Sequence, residues 1–334
     1  MIGLVVRRLL QLPIILLVIY TLTLTLAWAI PGNPLDTDGR QPKREIIEAM
    51  KRQYNLDSFP RFYVSYLANA TGVQYVKDSI DSDFAQRREE LRAMGQEPPR
   101  RNVFNLGPSL MYEDWSVNEI IATSLPVSVT LGAFAIAVAL VIGIGAGVVG
   151  AVMPNSLPDA LTLVVALVGI SLPSFVTGTV LLLVLSIWVG IGTVGAWGGL
   201  TDMIVPALTL SLPYAAYIAR LTRMGMIEHL QSDFVRTARA KGLSESKVVL
   251  KHALKNSFLP VLSYLGPAAA LAMTGSFVVE RVFNVPGMGQ HFVNGVQNKD
   301  MFLIMGVVLI FSTMLILFNL AVDVMYRWVD PRIE

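Results

Sequence analysis

The sequence predicts an all-α integral membrane protein with six transmembrane helices, and three observations carry that prediction. Of 334 residues, 54% are hydrophobic and only 15% charged, against roughly 45–50% and about 25% in soluble domains. The apolar residues gather into six runs of membrane length, and the basic residues of the short connections gather on one side of those runs. Mean hydropathy is +0.58. This balance excludes a disordered chain, a nucleic-acid binder and an ordinary soluble enzyme. Cysteine is absent and the net charge is +2, which removes disulfides, thiolate metal sites and a polyanionic partner.

A bilayer core of roughly 30 Å takes about 20 helical residues, because no water is present to satisfy the backbone. The runs are Leu9–Ile30, Ile120–Val152, Leu161–Val189, Met203–Ala219, Phe258–Val279 and Met301–Tyr326. Arg7, Arg8 and Ala27-Trp28-Ala29 give the first run the look of a secretory signal. It exceeds the roughly 7–15 residues of a signal core, so it is expected to be retained as a span. The fourth run is short and interrupted by Pro206 and Pro213, which leaves its limits the least defined. With an even number of spans both termini lie on one side. If that side is cytoplasmic, the short inner pieces hold twelve basic residues and the short outer loops hold Arg281 and Lys299. The positive-inside rule then places both termini in the cytoplasm and residues 31–119 outside.

Segment 31–119 is too polar for a membrane, with twelve basic and fourteen acidic residues. Pro31-Gly32-Asn33-Pro34 ends the first span. Ile46, Ile47, Met50 and Tyr54 recur at helical spacing behind Pro42. Ile80, Phe84, Leu91 and Met94 form a second stripe that stops at Gly95, a C-terminal cap residue, before Pro98-Pro99 breaks the chain. The expectation is a small helical cap. A solvated loop with marginal helices is the alternative.

Within the spans, Gly143 and Gly147 form a G-x-x-x-G pair that allows two helix backbones to approach closely. Pro173, Pro213, Pro260 and Pro267 each remove a backbone bond and permit a kink. Asp159 and Asp202 stand at span edges. Asp323, with Arg327 four residues on, reads as a helical ion pair near the inner interface. Near the midplane there is neither a carboxylate nor a histidine of the kind an ion-coupled carrier uses. His229, His252 and His291 fall outside the spans, too scattered for a metal or a serine hydrolase.

The connection 220–257 is the most informative segment. Phe234–Lys241 reads as a helix with Gly242 beyond its end, and Ser244 caps a second helix from Glu245 to about Asn256. Eight basic residues against Glu228, Asp233 and Glu245 leave it near +5. A basic anchor on anionic lipid is one reading. The other is a docking element for a cytosolic partner, in which Ala238, Ala240 and Gly242 allow close approach. A helix-turn-helix for DNA is excluded because spans hold both ends.

These residues resemble the cytoplasmic EAA loop of binding-protein-dependent ABC importer permeases, most closely the dipeptide/oligopeptide/nickel branch. Arg236-Thr237-Ala238-Arg239-Ala240-Lys241-Gly242-Leu243 and Lys251-His252-Ala253-Leu254-Lys255-Asn256 run much as that branch does. Against the general pattern Arg236 and Thr237 replace Glu and Ala, while Ala238 and Gly242 match. Pro31-Gly32-Asn33-Pro34, Tyr54-Asn55-Leu56-Asp57 and Ile170-Ser171-Leu172-Pro173-Ser174-Phe175 are similar to the branch's P-G-D-P, Y-G-L-D and S-x-P-x-F. Glu280 to Gly289 resembles its E-x-x-F-x-x-P-G-x-G, and Asn319–Asp323 and Asp330-Pro331-Arg332 its closing motifs. Residues near 71–102 stand as an insertion.

The resemblance implies the type I importer permease fold, with an extracytoplasmic helical insert between spans 1 and 2, in the cytoplasmic (inner) membrane of a bacterium or archaeon. The expected divisions are 1–30, 31–119 and a permease core 120–334. It also implies a sister permease, two ATPase subunits holding ATP and magnesium, and an extracytoplasmic solute-binding protein. This chain has no G-x-x-x-x-G-K-[ST] loop, so it is expected to be non-catalytic and to carry no cofactor or metal. The ATPase-coupling set is Asp233, Arg236, Thr237, Ala238, Lys241, Gly242, Leu243, Ser244, Lys247 and Lys251. Candidate pathway or gate residues are Pro173, Phe175, Pro213, Tyr217 and Glu280. A secondary transporter working alone on an ion gradient is the rival function.

Overall fold

The structure is a computed structural model, and it describes residues 2–30, 48, 51–95, 102–112, 115–274 and 276–329. The motifs at 31–34 and 330–332, the predicted helix positions Pro42, Ile46, Ile47 and Met50 and the break at Pro98-Pro99 lie outside the described residues. Among the described residues four helices are long and apolar enough to cross a membrane: α1 (Ile2–Ala29), α5 (Val117–Val152), α8 (Leu200–Leu230) and α14 (Met301–Val329). Two bent pairs complete six spans when each is taken as one. The first joins α6 (Leu157–Ser171) to α7 (Ser174–Leu181), which continues as a π-helical stretch Leu182–Trp188; the bend is 111°. The second joins α11 (Leu259–Met273) to α12 (Phe277–Phe283) at 47°.

Two boundaries differ from expectation for physical reasons. The third apolar run is broken because Pro173 pushes Leu172 out of the helical region, to φ −81 and ψ 130. The fourth is longer than expected: α8 passes through Pro206 and Pro213 and runs unbroken to Leu230. Residues 220–230, assigned to a loop by hydropathy, therefore belong to the same rod as the span. Membrane helices tolerate such prolines when nearby groups satisfy the freed carbonyls.

The chain divides into two compact units. The first comprises 1–14, 124–290 and 311–334. In it α5 comes very close to α8. A methyl group at Gly143 would meet Ala215 O at 2.7 Å, and one at Gly147 would meet Thr222 Cβ at 2.5 Å. The predicted glycine pair thus lets the backbones nearly touch. Around it Leu131, Ala135, Val205, Leu210, Ala268, Val279 and Phe283 form the core. Gly266 of α11 receives Val322 and Asn319 of α14, which places the Asn319–Asp323 motif at that helix contact. Asp323 is paired with Arg8 at 2.9 Å rather than shown with Arg327, whose side chain is outside the description. The pair is close but not aligned as a hydrogen bond.

The second unit comprises 15–123 and 291–310. Here α2 (Phe59–Ala70) packs on α1 through aromatic rings: Tyr20 donates to Tyr63 O at 2.6 Å and stacks on Tyr66, and Trp28 meets Phe59 and Phe62. Phe302 of α14 closes the cluster against Tyr54, Phe62 and Tyr66. Asn55, standing where the branch has glycine, adopts φ +56 and turns the chain so that Leu56 is buried. Buried Asp300, just before α14, accepts Ser109 Oγ at 2.6 Å and the N–H groups of Leu110, Met111 and Leu303. Burial raises its pKa against the pull of those bonds. The insert supplies α3 (Val73–Ile80) and α4 (Ser82–Ala93), and Gly95 ends α4 as expected, donating to Arg92 O at φ +74. Segment 31–119 is therefore helical at α2, where Phe62 and Tyr66 are buried. The α3–α4 pair has no fully buried residue among those described.

Candidate functional site

Between α8 and α11 lie α9 (Asp233–Ala240) and a compound helix α10 (245–257). In α10, Glu245–Lys247 and Leu254–Ser257 flank a π-helical stretch, Val248–Ala253. The turn from α8 is made by Ser232, whose hydroxyl donates to His229 O at 2.6 Å, and Asp233 follows in the favourable first turn. The end of α9 is a Schellman motif. Gly242 N donates to Arg239 O at 2.9 Å and Leu243 N to Ala238 O at 3.4 Å, with Gly242 at φ +78. A built Cβ on Gly242 meets nothing, so glycine is required there by backbone conformation and not by space. Arg239 then reaches across the turn with two hydrogen bonds, 2.6 and 3.1 Å, to Glu245. The guanidinium holds the Glu245 carboxyl below its ordinary pKa.

The two helices are fastened to the bundle. Val235 and Ala238 of α9 and Val248, Val249 and Ala253 of α10 bury against Ala151 of α5 and Met226 of α8. Gly225 of α8 admits the backbone of Ser257, with Ser257 O 3.1 Å from where a Cβ would stand. The five-residue step from Val248 to Ala253 is what a π-helical turn brings to one face, and it keeps both residues in the cluster.

This arrangement divides the predicted coupling set. Asp233, Arg236, Thr237, Lys241, Gly242, Leu243, Ser244, Lys247 and Lys251 lie on the exposed side. Ala238 faces the bundle and is a seating residue, so its small size serves approach to this chain's own helices. Ser244 begins α10 with extended backbone but makes no side-chain cap bond.

The pathway candidates fall in three places. Pro173 and Phe175, the latter 56% exposed, sit at the 111° bend. Pro213 and Tyr217 share one strip of α8; Tyr217 is 42% exposed and packs on Tyr264 of α11 at 4.5 Å. Glu280 stands apart, at 0% exposure. Its carboxylate accepts Ser128 Oγ and Gly289 N, each at 2.8 Å, while Ser128 Oγ also accepts Met288 N at 2.8 Å. Gly287 and Gly289 lie flat against that carboxylate, where any side chain would collide. The Glu280–Gly289 motif is thus a closed clasp onto α5. Ser128 was not foreseen, since it is 152 residues from Glu280 and no local pattern marks it. A second unforeseen tie joins Arg223 of α8 to Asp159 of α6 through bonds of 2.6 and 2.8 Å, with Gly150 making room.

Comparison with known proteins agrees with the motifs. Residues 139–334 match the family described as binding-protein-dependent transport system inner membrane component. The chain is 38% identical over 336 residues, all of both chains, to the oligopeptide transport system permease protein OppB of Haemophilus influenzae. It is 38% identical over 337 residues, again all of both, to OppB of Escherichia coli strain K12. It is 34% identical over 319 residues to the dipeptide transport system permease protein DppB of Bacillus subtilis strain 168, covering 96% of this chain and 94% of that one. The six runs of apolar helix, the glycine-turned helix pair and these full-length likenesses agree, and the chain belongs to the family of inner membrane components of binding-protein-dependent transport systems.

Proposed function

We propose that this chain is one of two permease subunits of an ATP-driven importer of peptides. In that reading it forms the translocation pathway with a sister permease and receives cargo from an extracytoplasmic binding protein. Two separate ATPase subunits, which hold ATP and magnesium, drive it. Both termini and the helix pair α9–α10 face the cytoplasm, and residues 31–119 lie outside as a division between 1–30 and the core 120–334. Peptide cargo is taken from the names of the OppB and DppB relatives.

The observation that carries this reading is the two-sided construction of α9 and α10. One side is buried on α5 and α8, and the other presents Arg236, Lys241, Lys247 and Lys251 to solvent. An element seated in this way passes a push from a docked partner straight into two spans, as rigid-body switching requires. A merely lipid-anchoring loop needs the charges but not the seat.

The test is uptake by the complete importer in proteoliposomes. Gly242→Val forces a β-branched residue to φ +78, costing about 1–3 kcal/mol at the turn. The variant is expected to insert normally and to lose at least about tenfold in ATP-driven peptide uptake. Unchanged uptake would remove the docking role. Uphill transport by this chain alone would remove the subunit role as well.

A further inference from the structure

Arg220 occupies the open strip of α8. Pro213, Tyr217, Arg220 and Met224 follow one another at helical spacing, and Tyr217 and Met224 are exposed together with Arg220. Because α8 runs to Leu230, Arg220 is one turn from Tyr217 on a continuous membrane-scale helix and not in a loop. It also borders an open cavity of about 290 Å³, room for roughly ten waters. The walls are apolar, with Leu163, Leu167 and Ile170 from α6 and Ala216 and Ala219 from α8.

Arg223, which lines the same cavity, is already neutralised by Asp159. Asp159 is saturated in turn, since its Oδ2 also accepts Asn155 N at 2.8 Å. Arg220 has no hydrogen-bond or ion-pair partner among the described residues. Arg220 is about 30 Å along α8, at the inner edge of a bilayer core, where an unneutralised cation beside an apolar cavity suits a water-filled route and a substrate contact.

We propose that Arg220 receives the C-terminal carboxylate of the peptide cargo in transit, with the apolar cavity between α5, α6 and α8 accepting the neighbouring side chain. This rests on the importer reading given above. The planar guanidinium matches a carboxylate through two parallel hydrogen bonds. Its exposure leaves the pair screened by water, so the contact guides the peptide without trapping it.

The complete importer in proteoliposomes tests this with radiolabelled trialanine and trialanine amide, each at a concentration that saturates the binding protein. The wild type is expected to move the acid about tenfold faster than the amide, the size of one charge-assisted hydrogen bond. Arg220→Gln should erase that preference by slowing the acid, and Arg220→Lys, which keeps the charge, should retain most of it. A preference that survives Arg220→Gln would overturn the proposal, as would equal losses for both peptides or a lysine variant no better than the glutamine one. Losses reproduced in the wild type by omitting phosphatidylglycerol would instead assign Arg220 to a lipid headgroup. A wild type that moves neither peptide with ATP would overturn the importer reading itself, independently of the variants.

Discussion

The helix pair α9–α10 and the helix pair α3–α4 are built from pieces of similar length, yet they treat their apolar residues in opposite ways. In α9–α10 the apolar residues converge on Ala151 and Met226 and are excluded from water. In α3, Val73, Val76 and Ile80 are all exposed, Ile80 to 81%, as is Met94 just beyond α4, while Phe84 is half-buried under Arg88. A stripe at helical spacing therefore establishes a helix and nothing about what covers it. The turn is where the two differ most. The first pair is closed by a Schellman bond set and an Arg239–Glu245 clamp, so its two faces keep a fixed relation.

Substitutions sharpen this contrast. Val248→Asp buries an unpaired carboxylate in the seat of α10, a change costing several kcal/mol. It should abolish ATP-driven uptake, with α9–α10 becoming sensitive to protease in membranes that still contain the chain. Normal uptake would mean that the seat transmits nothing.

Glu245→Gln comes next, and its effect depends on pH. The folded-state pKa of Glu245 lies below its unfolded value, so the clamp contributes above the unfolded value, near pH 4.3, and is lost as pH falls through the folded value. Hydrogen exchange of the 241–244 amides should therefore be faster in Glu245→Gln than in wild type at pH 7. The difference should shrink at acidic pH once intrinsic exchange is corrected for. A difference that persists there would assign the protection to Gly242 alone.

Ile80→Ser should do least. It removes no buried contact, so the thermal midpoint is expected to correspond to a change within about 0.5 kcal/mol. A larger loss would show that α3 has a covered face after all.

How much of this was legible in the sequence follows from the range of each interaction. Spans, the glycine turn at Gly242, the cap at Gly95 and the close approach at Gly143 and Gly147 all leave a signal within a few residues, and each was read. The length of α8 was not, because hydropathy stops where Arg220 and Arg223 begin while helical hydrogen bonding continues. The proline break at Leu172-Pro173 was marked as a kink, but its angle depends on what α7 packs against. The clasps Glu280–Ser128 and Arg223–Asp159 join residues 152 and 64 positions apart, and nothing periodic points from one partner to the other. In the candidate pathway the open strip of α8 was half legible, through Pro213 and Tyr217. Arg220 was missed for the same reason the helix was cut short.

The glycine contact of α5 with α8 has a mechanical consequence. Helices whose main chains nearly touch at Ala215 O and Ala219 O cannot slide past one another without collision, so they behave as a single two-rod beam. Whatever tilts α8 tilts α5 equally. Relative displacement is left to softer joints, and the elbow of 111° at Leu172-Pro173 is the sharper of the two bends described.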